Sequence, residues 1–515
     1  MCRGNDAENP IPPHPLISVS RFLLVSLNID SILQESTIYR RRERLRKMTD
    51  GLELGDAYGA MVERIMAQSG DKSRLGMEAL MWVSHAERPL SADEVCHALA
   101  VELGSTQFNA GNVPSMSTLV TCCQGLITVD KEESTVRLIH FTLKEYLSAH
   151  PDIFNKPHST MAEICLTYLD SEQVRVLSSD DTRHILEMPF QGYCSLYWGV
   201  HAKRELSDYA RSLAIRLLQK YDGHISAKSL LRQVKHLIPW YRDTSFPFSG
   251  LHCASFFGLS EVVATLIEMG SYNIDARDLW GFTPLAWAAR NGHEEMVKIL
   301  LGQEEANPDK PDNCGCTPLS HAARNGHAGV VKILLEWKEV NPDKADYHGN
   351  TPLSWAAWNG HEHVVKILLG REEVTPDKPD NDGDTPLNSA AYNGHEGVAK
   401  ALLEQEGVNP DRQNNAGRTP LCSAAANGHE GVIKILLARG DVNPDKLGNR
   451  GNTPLLYAAQ NGHAGVVKIL LEWKEVNPDK ADNHGNTPLS WAAWNGHEQV
   501  VKILLGREGH SRQAG

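Results

Sequence analysis

Gly349-Asn-Thr-Pro-Leu353-Ser-Trp-Ala-Ala357-Trp-Asn-Gly360-His-Glu-His-Val-Val365-Lys-Ile-Leu-Leu369 is the segment that decides the fold. Gly349 suits a tight turn with positive φ. Thr351 can cap a helix whose first position is Pro352, where the missing N–H has no partner to lose. Leu353, Ala356 and Ala357 then give a short helix with a small-residue face that a neighbour can approach closely. Asn359-Gly360 ends it, with Gly360 in the left-handed cap. His361 opens a second helix with the apolar stripe Val364, Val365, Ile367, Leu368 and Leu369. Pro376-Asp377 and an Asp/Asn-rich turn follow. The unit reads as helix, turn, helix and extended finger.

The unit recurs. Thr-Pro-Leu stands at 283–285, 317–319, 351–353, 385–387, 419–421, 453–455 and 487–489, each copy 34 residues from the next. Ser249-Gly250-Leu251 is a degenerate eighth copy one period upstream. A fixed period of this length predicts a stacked solenoid, because one helix pair cannot bury its apolar face alone. The functional question moves from catalysis to surface recognition.

Gly-x-Thr-Pro-Leu, the Ala-Ala pair, Asn-Gly-His and Val-Val-Lys-Ile-Leu-Leu together resemble the ankyrin repeat, from 249 to about 506. The family's His after Thr-Pro-Leu is replaced by Ala286, Ser320, Ser354, Asn388, Cys422, Leu456 and Ser490; only His252 keeps it. The His–Thr hydrogen bond of the family therefore does not carry over to those units. Residues 327–369 and 463–505 differ only at Tyr347/Asn483 and His363/Gln499, four units apart. Packing alone would not preserve surface residues such as Glu336, Trp337 and Lys338, so we read a recent internal duplication.

Composition narrows the class. The 515 residues carry a formal charge of −13, and from Ser249 onward 34 acidic residues face 24 basic ones. An acidic array argues against phosphate-backbone binding. The ten cysteines are scattered and no 18-residue apolar run occurs, which predicts a cytoplasmic or otherwise intracellular chain with free thiols and no membrane span.

The expected organisation has four parts: a leader with the tail of a preceding module over 1–50, a winged-helix domain over 51–150, a helical spacer over 151–245 and the repeats over 246–515. Residues 1–19 hold Pro10, Pro12, Pro13 and Pro15 and read as disordered. Residues 20–50 read as helical and end in the basic run Arg40 to Lys47, a solvated helix face or a nuclear signal. Tyr58–Met66 and Arg74–Val83 have helical patterns. Ser91 and Glu94 form a capping box, and Ile127–Val129 and Val136–Ile139 alternate like two strands. Tyr193–Lys203 is aromatic-rich and is expected to pack on the first repeat as a cap.

Ala86-Glu-Arg-Pro-Leu90, Cys123-Gln-Gly-Leu126 and His140-Phe-Thr-Leu-Lys-Glu-Tyr-Leu147 resemble the winged-helix segment of fungal NACHT-type signalling ATPases, named after GPI inositol-deacylase. Cys165-Leu-Thr-Tyr-Leu169 extends the match, and Leu23–Leu33 and Gly55–Tyr58 resemble the tail of the ATPase module. In that family the winged helix couples a nucleotide-driven switch to a repeat sensor. No Gly-x4-Gly-Lys-Ser/Thr occurs in the chain, so the phosphates of ATP have no recognised cradle. The resemblance therefore implies the sensor part of a NACHT–ankyrin receptor. The alternatives are part of a nucleotide-switched ATPase with its P-loop module elsewhere and, in a different class, a winged-helix nucleic-acid binder.

No catalytic, cofactor or metal residues are nominated. Cys314 and Cys316 near His321 and His327 have no zinc spacing. Cys122-Cys123 reads as core or helix surface. The recurrent His293, His327, His361, His395, His429, His463 and His497 read as architecture, and Gly-x-Ser-x-Gly is absent. The expected binding surface joins finger tips to the ends of the first helices: Trp280, Phe282, Tyr347, His348, Asp382, Asp384, Arg418, Arg450 and His484 with Arg290, Arg324, Trp358, Tyr392 and Trp494. Its ligand is a protein, gripped mainly by Trp358, Tyr392 and Trp494, since Trp, Tyr and Arg dominate interface energetics. Trp287, Trp355, Trp491 and Tyr457 are expected in the core. The last unit keeps Val500, Val501, Ile503, Leu504 and Leu505 with no polar replacement, so it is expected to fray, to self-associate or to be covered by a partner.

Overall fold

The computed structural model describes residues 36–49, 54–130, 132–177, 187–235, 247–270 and 272–511. They fall into two compact units, residues 1–242 and 243–515, both mostly helical. The Pro-rich leader and Leu23–Leu33 lie outside the described residues.

The first unit is built on short helices and a small sheet. Ile38–Thr49 is a helix with Arg40 and Arg42 exposed. Helices Leu54–Met66 and Asp71–His85 precede strand β1 (Leu90–Ser91). Ser91 caps Ala92–Leu99 and Glu94 completes the capping box. β2 (Ile127–Val129) and β3 (Thr135–Leu138) form the wing, in the order β1-β3-β2 with both pairs antiparallel. The Gln124-Gly125 turn before β2 has φ of 47° and 85°, left-handed at both residues. His140 caps Phe141–Ala149, which buries Leu143 and Leu147. This is a winged-helix domain.

The helix Gln191–Arg204 packs on Pro157–Leu169 in the same unit. Tyr193, expected against the first repeat, is buried here instead, with its ring 5.9 Å from Trp82 and 5.6 Å from Phe190. Its hydroxyl sits 2.8 Å from His201 Nε2, and His201 Nδ1 lies 2.9 Å from His158 Nδ1. The buried face of this helix, Tyr193, Cys194 and Trp198, is thus used within the first unit.

The second unit repeats one building block. Inner helices such as Pro352–Trp358 pack on the inner helices before and after them, and outer helices such as Glu362–Leu369 do the same. Eight such pairs run from Gly250–Phe257 with Ser260–Glu268 to Pro488–Trp494 with Glu498–Ser511. Leu353, Val365 and Leu368 are fully buried, each worth about 1.5–3 kcal/mol over exposure. Thr351 Oγ1 accepts from Ser354 N at 3.1 Å and sits 3.0 Å from Ser354 Oγ, so a serine hydroxyl takes the place of the family's histidine. Ser320 does the same for Thr317 at 3.1 Å.

Candidate recognition surface

Two ladders hold the helix pairs in register. The histidine that opens each outer helix donates from Nε2 to a carbonyl in the preceding unit. His361 reaches Arg324 O at 3.0 Å, His395 reaches Trp358 O at 3.0 Å and His429 reaches Tyr392 O at 2.9 Å. His293, His327, His463 and His497 make the same bond to Phe256, Arg290, Ala426 and Gln460. A carbonyl can only accept, so Nε2 carries the proton. The expected recognition residues thus give their backbone carbonyls to the scaffold, which frees their side chains. The second ladder joins the finger tips: the amides of Asn381 and Asn415 donate to Tyr347 O and Asn381 O, both at 2.9 Å.

An Asp in each of several fingers aims the inner helix. Asp346 Oδ1 accepts from His348 N and Asn350 N, both at 2.9 Å, while Oδ2 accepts from the Trp355 indole at 3.0 Å. Asp278 with Trp287, Asp312 with His321 and Asp482 with Trp491 repeat the pattern. Nine residues separate Asp from ring each time. Burial pushes Asp278 up to about 7 despite the Trp287, Phe282 and Trp280 N–H donors. The same bond corrects the expected core. Trp287 and Tyr457 are buried, but Trp355 and Trp491 are only half-buried, held by Asp346 and Asp482.

The expected surface splits three ways. Phe282 is 2% exposed and stacks on Trp287 at 4.7 Å and on His321 at 4.4 Å, so it belongs to the core. Trp280 is also buried, 6.1 Å from Trp287. Trp287 is the common partner, and Phe256 and Phe248 of the degenerate first unit close on its ring at 5.4 and 6.3 Å. Phe282 and Trp280 are withdrawn from the binding surface. Arg290, Asp384 and Arg418 are half-buried: Arg290 over Phe282, Asp384 accepting from Asn414 Nδ2 at 2.8 Å, Arg418 over Tyr457 at 5.2 Å. Arg324 is exposed, with its guanidinium 4.2 Å above the Trp355 ring. Tyr347, His348, Asp382, Arg450 and His484 are exposed at the finger tips.

Trp358 and Tyr392 are the most telling pair. They occupy equivalent places in neighbouring units, are 45% and 43% exposed, and stack at 5.7 Å with planes 17° apart. The structure brings these two together; Trp494, 84% exposed, stands apart with no ring partner among the described residues. Further along the groove a cleft of about 540 Å³ is lined by Arg418, Arg450, Tyr457, Gln460, His484 and Trp491 among others. Sequence reading named its two arginines and His484 but left Tyr457 and Trp491 in the core. No group of His, Cys, Asp and Glu able to hold a metal occurs among the described residues; Cys316 is buried with Sγ 3.6 Å from Asp346, and Cys314 is exposed.

In the first unit the Ala86–Leu90 and His140–Lys144 motifs line a cleft of about 360 Å³ with β3. Arg88 grips Glu94 through two bonds, of 2.5 and 2.8 Å, which ties the first motif to the capping box. Tyr58 and Thr142 share a 2.8 Å hydroxyl contact that ties the second motif to helix Leu54–Met66.

Comparison with known proteins agrees with both architectures. Residues 62–164 match the winged helix domain of GPI inositol-deacylase. Residues 223–312, 304–380, 372–446 and 440–513 match ankyrin repeats (3 copies). No match is found among curated proteins. With more than half of its length under one family model, and with the capped inner helices, histidine ladder and fingers just described, the chain belongs to the ankyrin-repeat family.

Proposed function

We propose that this protein is a non-enzymatic recognition component that binds a protein ligand in its ankyrin groove, as the sensor part of a NACHT–ankyrin type signalling receptor. Ankyrin repeats support a protein–protein interaction role. The single observation that carries the reading is the exposed Trp358–Tyr392 stack, two large rings held side by side on a rigid face. Rings fixed in advance lose little entropy on binding and fit the profile of interface anchors. The winged-helix match at 62–164 supports the receptor context. It equally favours a second reading, part of a nucleotide-switched ATPase with its P-loop module elsewhere, which a P-loop encoded in frame just upstream of Met1 or carried by a co-purifying partner chain would support.

In this reading the protein acts inside the cell, in the cytoplasm, without nucleic acid or membrane as ligand. No helix among the described residues is long and apolar enough to cross a membrane. A second copy is a further candidate partner, at the unit where Trp494 and Leu505 are exposed. The test is Trp358→Ala with Trp494→Ala, followed by capture of binding proteins. Loss of the captured partner with an unchanged melting temperature supports the proposal, and unchanged capture removes it.

A further inference from the structure

The cleft lined by Arg418 and Arg450 differs in charge from the rest of the array. Residues 249–400 hold 22 acidic and 12 basic residues, whereas 401–515 hold 12 of each. Most finger-base cations are neutralised in place: Lys344 by Asp309 at 2.9 Å, Lys378 by Asp343 at 3.1 Å, Arg412 by Asp377 at 3.1 Å and Lys480 by Asp445 at 2.8 Å. Arg418 and Arg450 form no ion pair among the described residues. Arg418 is instead steadied over the Tyr457 ring, 5.2 Å from its centroid, and Arg450 is exposed.

The acid that lines the same cleft does not answer them. Asp482 Oδ1 accepts from His484 N at 2.9 Å and Asn486 N at 2.8 Å; Oδ2 accepts from the Trp491 indole at 3.0 Å and Asn486 Nδ2 at 3.3 Å. Its oxygens accept from the finger and from the inner helix Pro488–Trp494, and neither arginine is in ion-pair contact with it. Two guanidinium forks, the Gln460 side chain and the Tyr457 and Trp491 rings therefore line one space in which no acid among the described residues is in ion-pair contact with either fork. Guanidinium forks match carboxylates bidentately, and the rings can cover the methylene stem of a Glu.

We infer that this cleft takes a carboxylate-bearing, acidic segment of the protein ligand. The inference rests on the proposed groove function and supplies its chemistry. A uniformly anionic polymer fits poorly, because the groove one finger earlier presents Asp382 and Asp384, and the array over 249–400 carries a formal −10. A protein segment that is acidic only where it meets Arg418 and Arg450 satisfies both stretches.

The test uses the full chain and two fluorescein-labelled synthetic peptides of equal length, short enough to lie on the cleft alone, one alternating Glu and Ser, the other Lys and Ser, read by fluorescence anisotropy at low salt. The Glu peptide should bind more tightly than the Lys peptide. Arg418→Gln and Arg450→Gln should each weaken it about tenfold, as expected for loss of one charge-assisted hydrogen-bond set. The double reversal R418E/R450E should switch the preference to the Lys peptide. Both side chains lie outside the core, so an unchanged denaturation midpoint serves as the folding control. Equal binding of the two peptides by the wild type, or Glu-peptide binding untouched in R418E/R450E, overturns the inference. Trp358→Ala with Tyr392→Ala should leave Glu-peptide affinity unchanged. Peptide binding that depends on the arginines, while partner capture ignores the aromatic stack, would keep this inference and sink the wider groove reading.

Discussion

Adding one methyl group at Gly360 should break the contact that sets the spacing of the groove. Gly360 has φ of +77°, where an L-residue costs about 1–2 kcal/mol, partly offset by the stiffer unfolded chain of an alanine, about 0.4–1 kcal/mol. A Cβ built there lies 2.6 Å from His395 Nδ1 and 2.7 Å from Cε1, about 1 Å inside ordinary contact. The ring has to move, and with it goes the 3.0 Å bond to Trp358 O, worth about 1 kcal/mol net. Gly360→Ala should therefore cost about 2 kcal/mol. Gly496→Ala makes the control: φ is +76° and no atom lies within 4 Å, so only the backbone cost of about 1 kcal/mol remains.

His395→Ala completes a double-mutant cycle, read by urea denaturation. If the methyl–ring clash is the cause, the double variant is less destabilised than the sum of the singles by about 1 kcal/mol or more. Additivity within about 0.5 kcal/mol would refute the clash and, with it, the view that the histidine ladder spaces the inner helices. The Trp358–Tyr392 stack gives an independent optical check, since Trp358 fluorescence should shift in G360A and stay put in G496A.

Three further outcomes follow from particular contacts. Asp346→Ala removes the acceptor of two backbone N–H groups and of the Trp355 indole, and should cost about 1–3 kcal/mol in denaturant titration; Asp380→Ala should cost less, because Ser389 stands where the ring would be. Burial, with His158 beside it, pushes His201 down to about 3, so the unfolded chain takes up a proton below pH 6.5 that the folded first unit refuses, and stability should fall by about 1.4 kcal/mol per pH unit from 6.5 toward that value. His252, pushed down to about 4 by burial, acts likewise in the array, but Asp278, raised to about 7 by burial, works the opposite way there; hydrogen exchange at pH 5 should open 193–204 before 353–369, and the reverse order would refute it. At neutral pH, exchange protection of 500–505 in a monomer should fall below that of 364–369, and equal protection would contradict the exposed end face.

Local chemistry was legible in the sequence, and so was nearly everything that depends on it. Thr351 caps, Pro352 starts the helix, Gly360 takes the left-handed turn and Ser91 pairs with Glu94, all within a few residues. The wing strands were readable for the same reason, but β1 was not, since Leu90–Ser91 gain strand geometry only by pairing with Val136 and Thr135. The Asp–indole bonds were missed because nine residues and a turn separate the partners. The burial of Tyr193 against Trp82 was not legible because that ring comes from the distant helix Asp71–His85.

The groove failed and succeeded by one rule: in a solenoid, exposure is set by the residue one unit away, not by position within the unit. Phe282 occupies a place that is half-buried in most later units and buried at Cys316, and it is buried where Trp287 and His321 close on it. The duplicated block isolates the effect. Residues 349–369 and 485–505 differ at one position, 363 against 499. Yet Trp358 is 45% exposed and Trp494 84%, while Ala357 is buried and Ala493 exposed. Near-identical sequence gives different surfaces because Tyr392 and the helix Pro386–Asn393 cover the first copy, and no helix pair among the described residues covers the second. A recognition residue in this array is therefore a property of two neighbouring units. Trp358 with Tyr392 is such a pair, in which both units leave a large, oriented ring exposed.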